Sequence, residues 1–179
     1  MALSARNVRP SIAEVDAMDR ETFVAALGSA VENSPWVAHE AWRRRPFGSA
    51  AALRLAFESA IREAPRERRL ELLRAHPELA GREAAAGELT GASEREQRAA
   101  RLDRLTADEL DALTRLNAGY GARFGFPFIA CVREHSVESL LAWGRARLAR
   151  EPEAEVATAL AEVGKIVGLR LRDLVGDDA

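Results

Sequence analysis

A single cysteine, Cys131, stands in the 179 residues, so no internal disulfide can close. The three histidines, His39, His76 and His135, are too widely spaced to form a recognisable zinc pattern. Lys165 is the only lysine and no glycine-rich phosphate loop lies near it, which argues against a pyridoxal enzyme. Basic charge is not in excess either. With 26 Lys and Arg against 28 Asp and Glu the net charge is −2, and nucleic acid is not an expected partner. Long hydrophobic runs are missing: charged residues, 30% of the chain, break every window well short of the roughly 20 apolar residues of a membrane span. No membrane is expected. Residues 1–10 lack the apolar core of a secretory signal, and Gly176 to Ala179 is neither a peroxisomal nor a retention tail, so the expected location is cytoplasmic.

Glycine and proline are few, at 12 and 7, and Ala, Leu, Arg and Glu dominate. Apolar residues recur at three- and four-residue spacing almost throughout, which predicts an all-α fold. With no repeat, low-complexity tract or linker, residues 1–179 read as a single-domain helical bundle. Start signals are frequent: Ser11 with Glu14, Asp19, Ser49, Thr106 with Glu109, and Ser136. Gly28 and Gly125 are placed to stop helices, Pro35 and Pro65 to open them, and Pro152 to begin a long last helix that ends near Val175. Residues 81–92 turn small and polar and predict a surface loop, after which Ser93 restarts a helix. One stretch departs from the pattern. Phe126 to Val132 is a continuous apolar run containing Pro127, too short for a core helix and without strand partners, so it reads as a buried extended segment.

Four features could carry chemistry. His76 precedes Pro77, which pushes it out of helical geometry at a helix end; a proton handler and a plain capping or solvent-facing histidine both fit that place. Ser93 and Glu96 have the spacing of a capping box, which would occupy both in satisfying helix amides, while Gln97 adds an amide able to read a polar ligand. On the last helix Val156, Leu160, Val163, Val167 and Leu174 form the apolar stripe. At about 100° per residue Arg170 falls about 20° from Val163 and Arg172 about 180° away. Arg170 therefore points inward, where it needs either a structural carboxylate or an anionic ligand. Finally, the backbone N–H groups of the 126–132 segment, Pro127 excepted, want partners that a planar amide-rich ligand or neighbouring loops could supply.

Taken together, the blocks resemble the 2-oxo-4-hydroxy-4-carboxy-5-ureidoimidazoline (OHCU) decarboxylases of urate degradation. The resemblance rests on His76-Pro77-Glu78-Leu79-Ala80-Gly81, Ser93-x-x-Glu96-Gln97, Leu116-Asn117 with Tyr120, and Phe124-Gly125-Phe126-Pro127-Phe128-Ile129. Ser34-Pro35-Trp36, Glu162-Val163-x-x-Ile166 and Arg170-Leu171 extend it over nearly the whole chain. It implies an all-helical, cofactor-free enzyme that converts OHCU to (S)-allantoin with loss of carbon dioxide, with a homodimer as a possible assembly. Carried over motif by motif, it makes His76 the catalytic acid, delivering a proton to the carbon that carbon dioxide leaves, and Glu96 the companion that holds or tunes the imidazole and the substrate hydroxyl. Pro77, Ser93, Gln97 and Arg170 become substrate contacts, and Phe128, Ile129, Ala130, Cys131 and Val132 present backbone amides to the ureido-imidazoline. Arg101 stands where the family pattern has a glycine, which bears on local helix packing. Two readings compete: a non-catalytic helical module that binds a partner through an open apolar groove, and a metal-dependent amidohydrolase acting on a related ureide.

Overall fold

The computed structural model describes residues 9–176. Most of the two terminal stretches read above for targeting signals lies outside the described residues. Within them the chain forms α1 (Ile12–Ala17), α2 (Arg20–Leu27), α3 (Trp36–Trp42), α4 (Ala50–Glu63), α5 (Arg66–Arg74), α6 (Arg82–Ala86), α7 (Gly91–Ala99), α8 (Ala107–Phe124), α9 (Val137–Leu148) and α10 (Pro152–Leu174). Two 3-10 turns, Gly28–Ala30 and Val132–Glu134, complete it. No strand occurs among the described residues, as the helical periodicity predicts. Nor is any helix there long and apolar enough to cross a membrane.

The expected caps form. The hydroxyls of Ser11 and Thr106 accept the N–H of Glu14 and Glu109, whose carboxylates reach back to the cap N–H, closing two capping boxes. Asp19, Ser49 and Ser136 cap α2, α4 and α9. Gly125 ends α8 in the left-handed region at φ 74°, a backbone conformation that glycine adopts without strain.

Helix α10 is the staff of the bundle, packing against α2, α4 and α5, while α8 pairs with α9 and α7 lies against the second 3-10 turn. Phe23 meets Phe47 and Phe57 at one end of the core; Tyr120, Phe124, Phe126, Phe128 and Trp143 make a second aromatic group. The close approach of α8 and α9 depends on Gly144: a Cβ there would lie 2.4 Å from Leu116 Cδ2 and 3.1 Å from the Phe128 ring.

Three local expectations need correction. Residues 81–92 are not all loop, since Arg82-Glu83-Ala84-Ala85-Ala86 forms α6; the alanine run has the highest helix propensity, and only Gly87, at φ 70°, stops it. Ser93 does not start α7. Thr90, three residues before Ser93, is the cap, and its hydroxyl accepts the Ser93 N–H at 3.4 Å. The buried segment is extended through Cys131, but Val132 already opens the second 3-10 turn.

Arg101 acquires a specific meaning. The Leu102 N–H donates to the Gln97 carbonyl at 2.9 Å and the Arg101 N–H to the Arg98 carbonyl at 3.0 Å, the paired bonds of a Schellman motif closing α7. That motif places Arg101 at φ 62°. The departure from glycine therefore strains the backbone rather than the packing of helices. A left-handed non-glycine residue costs about 1–2 kcal/mol, and glycine returns part of that through its greater unfolded-state freedom. Arg101→Gly should accordingly stabilise the protein by roughly 0.5–1 kcal/mol, read as a raised urea midpoint at unchanged m-value; a lowered midpoint would show that the arginine side chain contributes more than its backbone strain removes.

Candidate active site

The inward turn of the last helix is as its geometry predicts: Arg170 is 5% exposed and Arg172 is exposed. Arg170 Nε donates to Glu96 Oε1 at 3.0 Å, Nη2 to Glu96 Oε2 at 2.8 Å and to Ser93 Oγ at 3.0 Å, and Nη1 to Glu32 Oε2 at 2.7 Å. Ser93 Oγ in turn donates to Glu32 Oε2 at 2.8 Å. Ser93, Glu96 and Gln97 share one face of α7 at i, i+3 and i+4, and because Thr90 does the capping, that face is free to turn inward. The capping-box reading of Ser93 and Glu96 is thus overturned.

Glu32, 3% exposed in the turn between the first 3-10 turn and α3, is absent from the sequence reading. Nothing in its immediate sequence distinguishes it; the one available signal is that an inward arginine demands carboxylate partners. Burial alone would raise its carboxyl, but hydrogen bonds from Thr90, Ser93 and Arg170, with the charge of Arg170, hold it below the ordinary carboxylate range.

His76 follows the end of α5, where Pro77 prevents the helix from continuing. Its Nδ1 lies 3.0 Å from the Leu72 carbonyl. A carbonyl only accepts, so Nδ1 carries the proton and Nε2 is the ring nitrogen available to the cleft. Burial depresses the imidazole below its ordinary 6.5, with the Leu72 bond and the charges of Glu32 and Glu96 opposing and Arg170 adding to the depression. The resting ring is neutral. Among the described residues Glu96 makes no hydrogen bond to it, so the expected orienting role falls to Leu72 instead.

Three side-chain amides pin the strip around His76. Asn33 Nδ2 donates to the Ala75 carbonyl at 3.0 Å, Asn117 Nδ2 to the Leu79 carbonyl at 3.1 Å, and the Ala80 N–H to Gln97 Oε1 at 2.8 Å. Gln97 thus has its oxygen engaged and its NH2 without a partner among the described residues.

The extended segment is held from behind by a second buried ion pair. Arg147, fully buried, donates from Nε and Nη2 to Glu155 Oε1 at 3.0 and 2.5 Å and from Nη1 to the Ile129 carbonyl at 2.8 Å, with its guanidinium over the Trp143 and Phe128 rings. The Cys131 N–H donates to buried Glu162 at 2.8 Å, so it is not open to a ligand as expected. The N–H groups of Phe128, Ile129, Ala130 and Val132 have no protein partner among the described residues. Burial pushes the Cys131 thiol up to about 11, so it is no nucleophile at neutral pH.

The candidate catalytic and binding residues meet in one cleft of about 40 Å³, lined by His76, Pro77, Ser93, Glu96, Gln97, Phe128 to Arg133 and Arg170. Every residue singled out from sequence is there. A larger groove, of about 910 Å³ between α4 and α10, lies elsewhere and holds none of them. Among the described residues no three His, Cys, Asp or Glu side chains come together as a metal site. Since Arg170 is the partner of two buried carboxylates, Arg170→Ala should destabilise the fold by about 3–5 kcal/mol, as breaking a buried pair does. Arg172→Ala should stay within about 0.5 kcal/mol. Equal losses in a denaturant titration of the two variants would show that the face is misassigned.

The geometry coincides with a known family. The profile of OHCU decarboxylase matches residues 16–172. The chain is 41% identical over 163 residues to the 2-oxo-4-hydroxy-4-carboxy-5-ureidoimidazoline decarboxylase of Haloferax volcanii, covering 91% of this chain and 95% of that one. It is 42% identical over 163 residues to the enzyme of the same name from Mus musculus, covering 91% and 92%. The crystal structure of an (S)-allantoin synthase superposes with a TM-score of 0.74 at 26% identity, over 93% of this chain and 54% of that one. The chain belongs to the OHCU decarboxylase family.

Proposed function

We propose that this protein decarboxylates OHCU to (S)-allantoin without a cofactor, using His76 to move the proton. The observation that carries the reading is a neutral imidazole, its Nδ1 tied to Leu72, offering Nε2 to a cleft that also contains unpartnered backbone N–H groups. The substrate is a small ureido-imidazoline. Its carboxyl and hydroxyl share ring carbon 4, and carbon 5 bears the ureido group on an imine. When the carboxylate leaves as carbon dioxide, its electron pair runs into the ring and the imine receives it, so the substrate supplies its own sink.

Proton accounting then locates the chemistry. The monoanion takes up one proton overall, from solvent: the ring nitrogen gains it, carbon 5 gains another, and the hydroxyl gives one up as it becomes a carbonyl. The carbon that carbon dioxide leaves ends as that carbonyl and takes no proton. The expected delivery to that carbon is therefore corrected to its neighbour, carbon 5, which becomes the stereocentre of allantoin. A neutral His76 cannot begin as the acid. Its Nε2 first takes the hydroxyl proton, and the imidazolium so formed, favoured by the charges of Glu32 and Glu96, returns it to one face of carbon 5. Free N–H groups of Phe128, Ile129, Ala130 and Val132 and the NH2 of Gln97 orient the ring and ureido oxygens, while Pro77, Ser93, Glu96 and Arg170 form the wall behind.

Circular dichroism in the allantoin region, followed while urate is oxidised with and without the protein, tests the activity: accelerated appearance of one enantiomer is expected, and an unchanged spontaneous course would refute it. His76→Asn should bind substrate but lower the rate by about 10²–10⁴, with residual product close to racemic. The pH dependence discriminates the starting form. Because the histidine must start neutral and its pKa lies below 6.5, kcat/KM should hold through neutral pH and decline only as acid protonates it; a loss of activity as pH rises through the same range would mean that the imidazolium is the resting form. Exhaustive chelation should leave turnover intact, whereas activity abolished by chelator and restored by zinc would favour the amidohydrolase reading.

A further inference from the structure

Charge at the cleft poses a problem that Arg170 does not solve. Glu32 and Glu96 against Arg170 leave one negative charge in excess, and the hydrogen bonds to Glu96, Glu32 and Ser93 engage four of its five N–H groups. A carboxylate ligand is fully ionised at neutral pH and would meet repulsion there. The cleft has one more cation. Arg133, in the second 3-10 turn, lines it with its side chain 35% exposed at the rim. Its Nη2 donates to Asp173 Oδ2 at 2.6 Å and lies 3.5 Å from Glu96 Oε1. Nε and Nη1 have no partner among the described residues. Asp173 is 51% exposed, so the pair is a solvent-screened surface contact that costs little to give up.

We propose that Arg133 captures the carboxylate that the reaction removes, exchanging Asp173 for the substrate. The inference rests on the reading of the cleft given above. It has a kinetic signature. The carboxylate carries its full charge in the bound substrate and loses it as the carbon–carbon bond breaks, so a cation paired with it favours the ground state at least as much as the transition state. Arg133 therefore acts in binding, not in the chemical step. It also distinguishes substrate from product, because allantoin has no carboxylate.

The test compares wild type, Arg133→Gln, Arg133→Lys and Asp173→Asn with OHCU as substrate and (S)-allantoin as inhibitor. Arg133→Gln should raise KM by about 10- to 100-fold, the range of a lost charge-assisted hydrogen bond, with kcat unchanged or higher. Arg133→Lys should recover part of the loss. Asp173→Asn, which releases the guanidinium, should leave KM unchanged or lower it. Inhibition by (S)-allantoin should change by less than about twofold in all three, as it lacks the group recognised. An unchanged KM in Arg133→Gln, or substrate and allantoin weakened by the same factor, would overturn the proposal. Failure of wild type to turn over OHCU would instead refute the function itself, so the two failures are separable.

Discussion

The buried guanidinium of Arg170 is the interaction on which the rest of the site depends. It joins α10 to α7 through Glu96 and Ser93 and to the turn before α3 through Glu32, segments far apart in sequence. Each partner is ionic or hydrogen-bonded to another partner, so the group behaves as a unit. A buried ion pair of this kind adds little net stability over a well-packed apolar core of the same volume, because desolvation offsets most of the attraction. What it does impose is geometry: losing Arg170 would strand two buried carboxylates, so the three segments have one low-energy arrangement.

The same device recurs at the opposite wall. Arg147 and Glu155 form a fully buried pair, and the remaining guanidinium donor takes the Ile129 carbonyl, fixing an extended segment that has no strand partner. Glu162 fixes it again through the Cys131 N–H. With the segment held in this way, the neighbouring N–H groups of Phe128, Ile129, Ala130 and Val132 are left without protein partners among the described residues. The helical scaffold thus presents a small stretch of unpaired backbone at a defined place, which a regular helix would have consumed internally.

Between these walls the protein contributes few chemical groups, and the reaction asks for few. In the proposed reaction the substrate's imine accepts the electron pair, so the remaining tasks are to hold the ring, admit a carboxylate and move one proton on one face. The tie from His76 Nδ1 to Leu72 selects the tautomer with Nε2 open to the cleft, and the amides of Asn33, Asn117 and Gln97 pin its strip. The large groove between α4 and α10 shares only Leu169 with the lining of the cleft, and none of the candidate catalytic or binding residues.

Much of this was legible in the residue order. Helix periodicity and caps such as Ser11 with Glu14 are local properties, set by groups three or four residues apart, and the inward turn of Arg170 follows from its angle to Val163. The apolar run around Phe128, broken by Pro127, likewise marks itself as non-helical. What the residue order could not reveal depends on contacts across long sequence distances. Glu32 becomes part of the site only because Arg170, 138 positions away, needs a second carboxylate. Ser93 and Glu96 fit a capping box by spacing, and only the packing of α7 against α10 turned them inward while Thr90 took the cap. The protonation of His76 also lay outside its sequence, because burial and the Leu72 carbonyl, not the identity of its neighbours in the chain, decide which nitrogen holds the proton and whether the ring is charged.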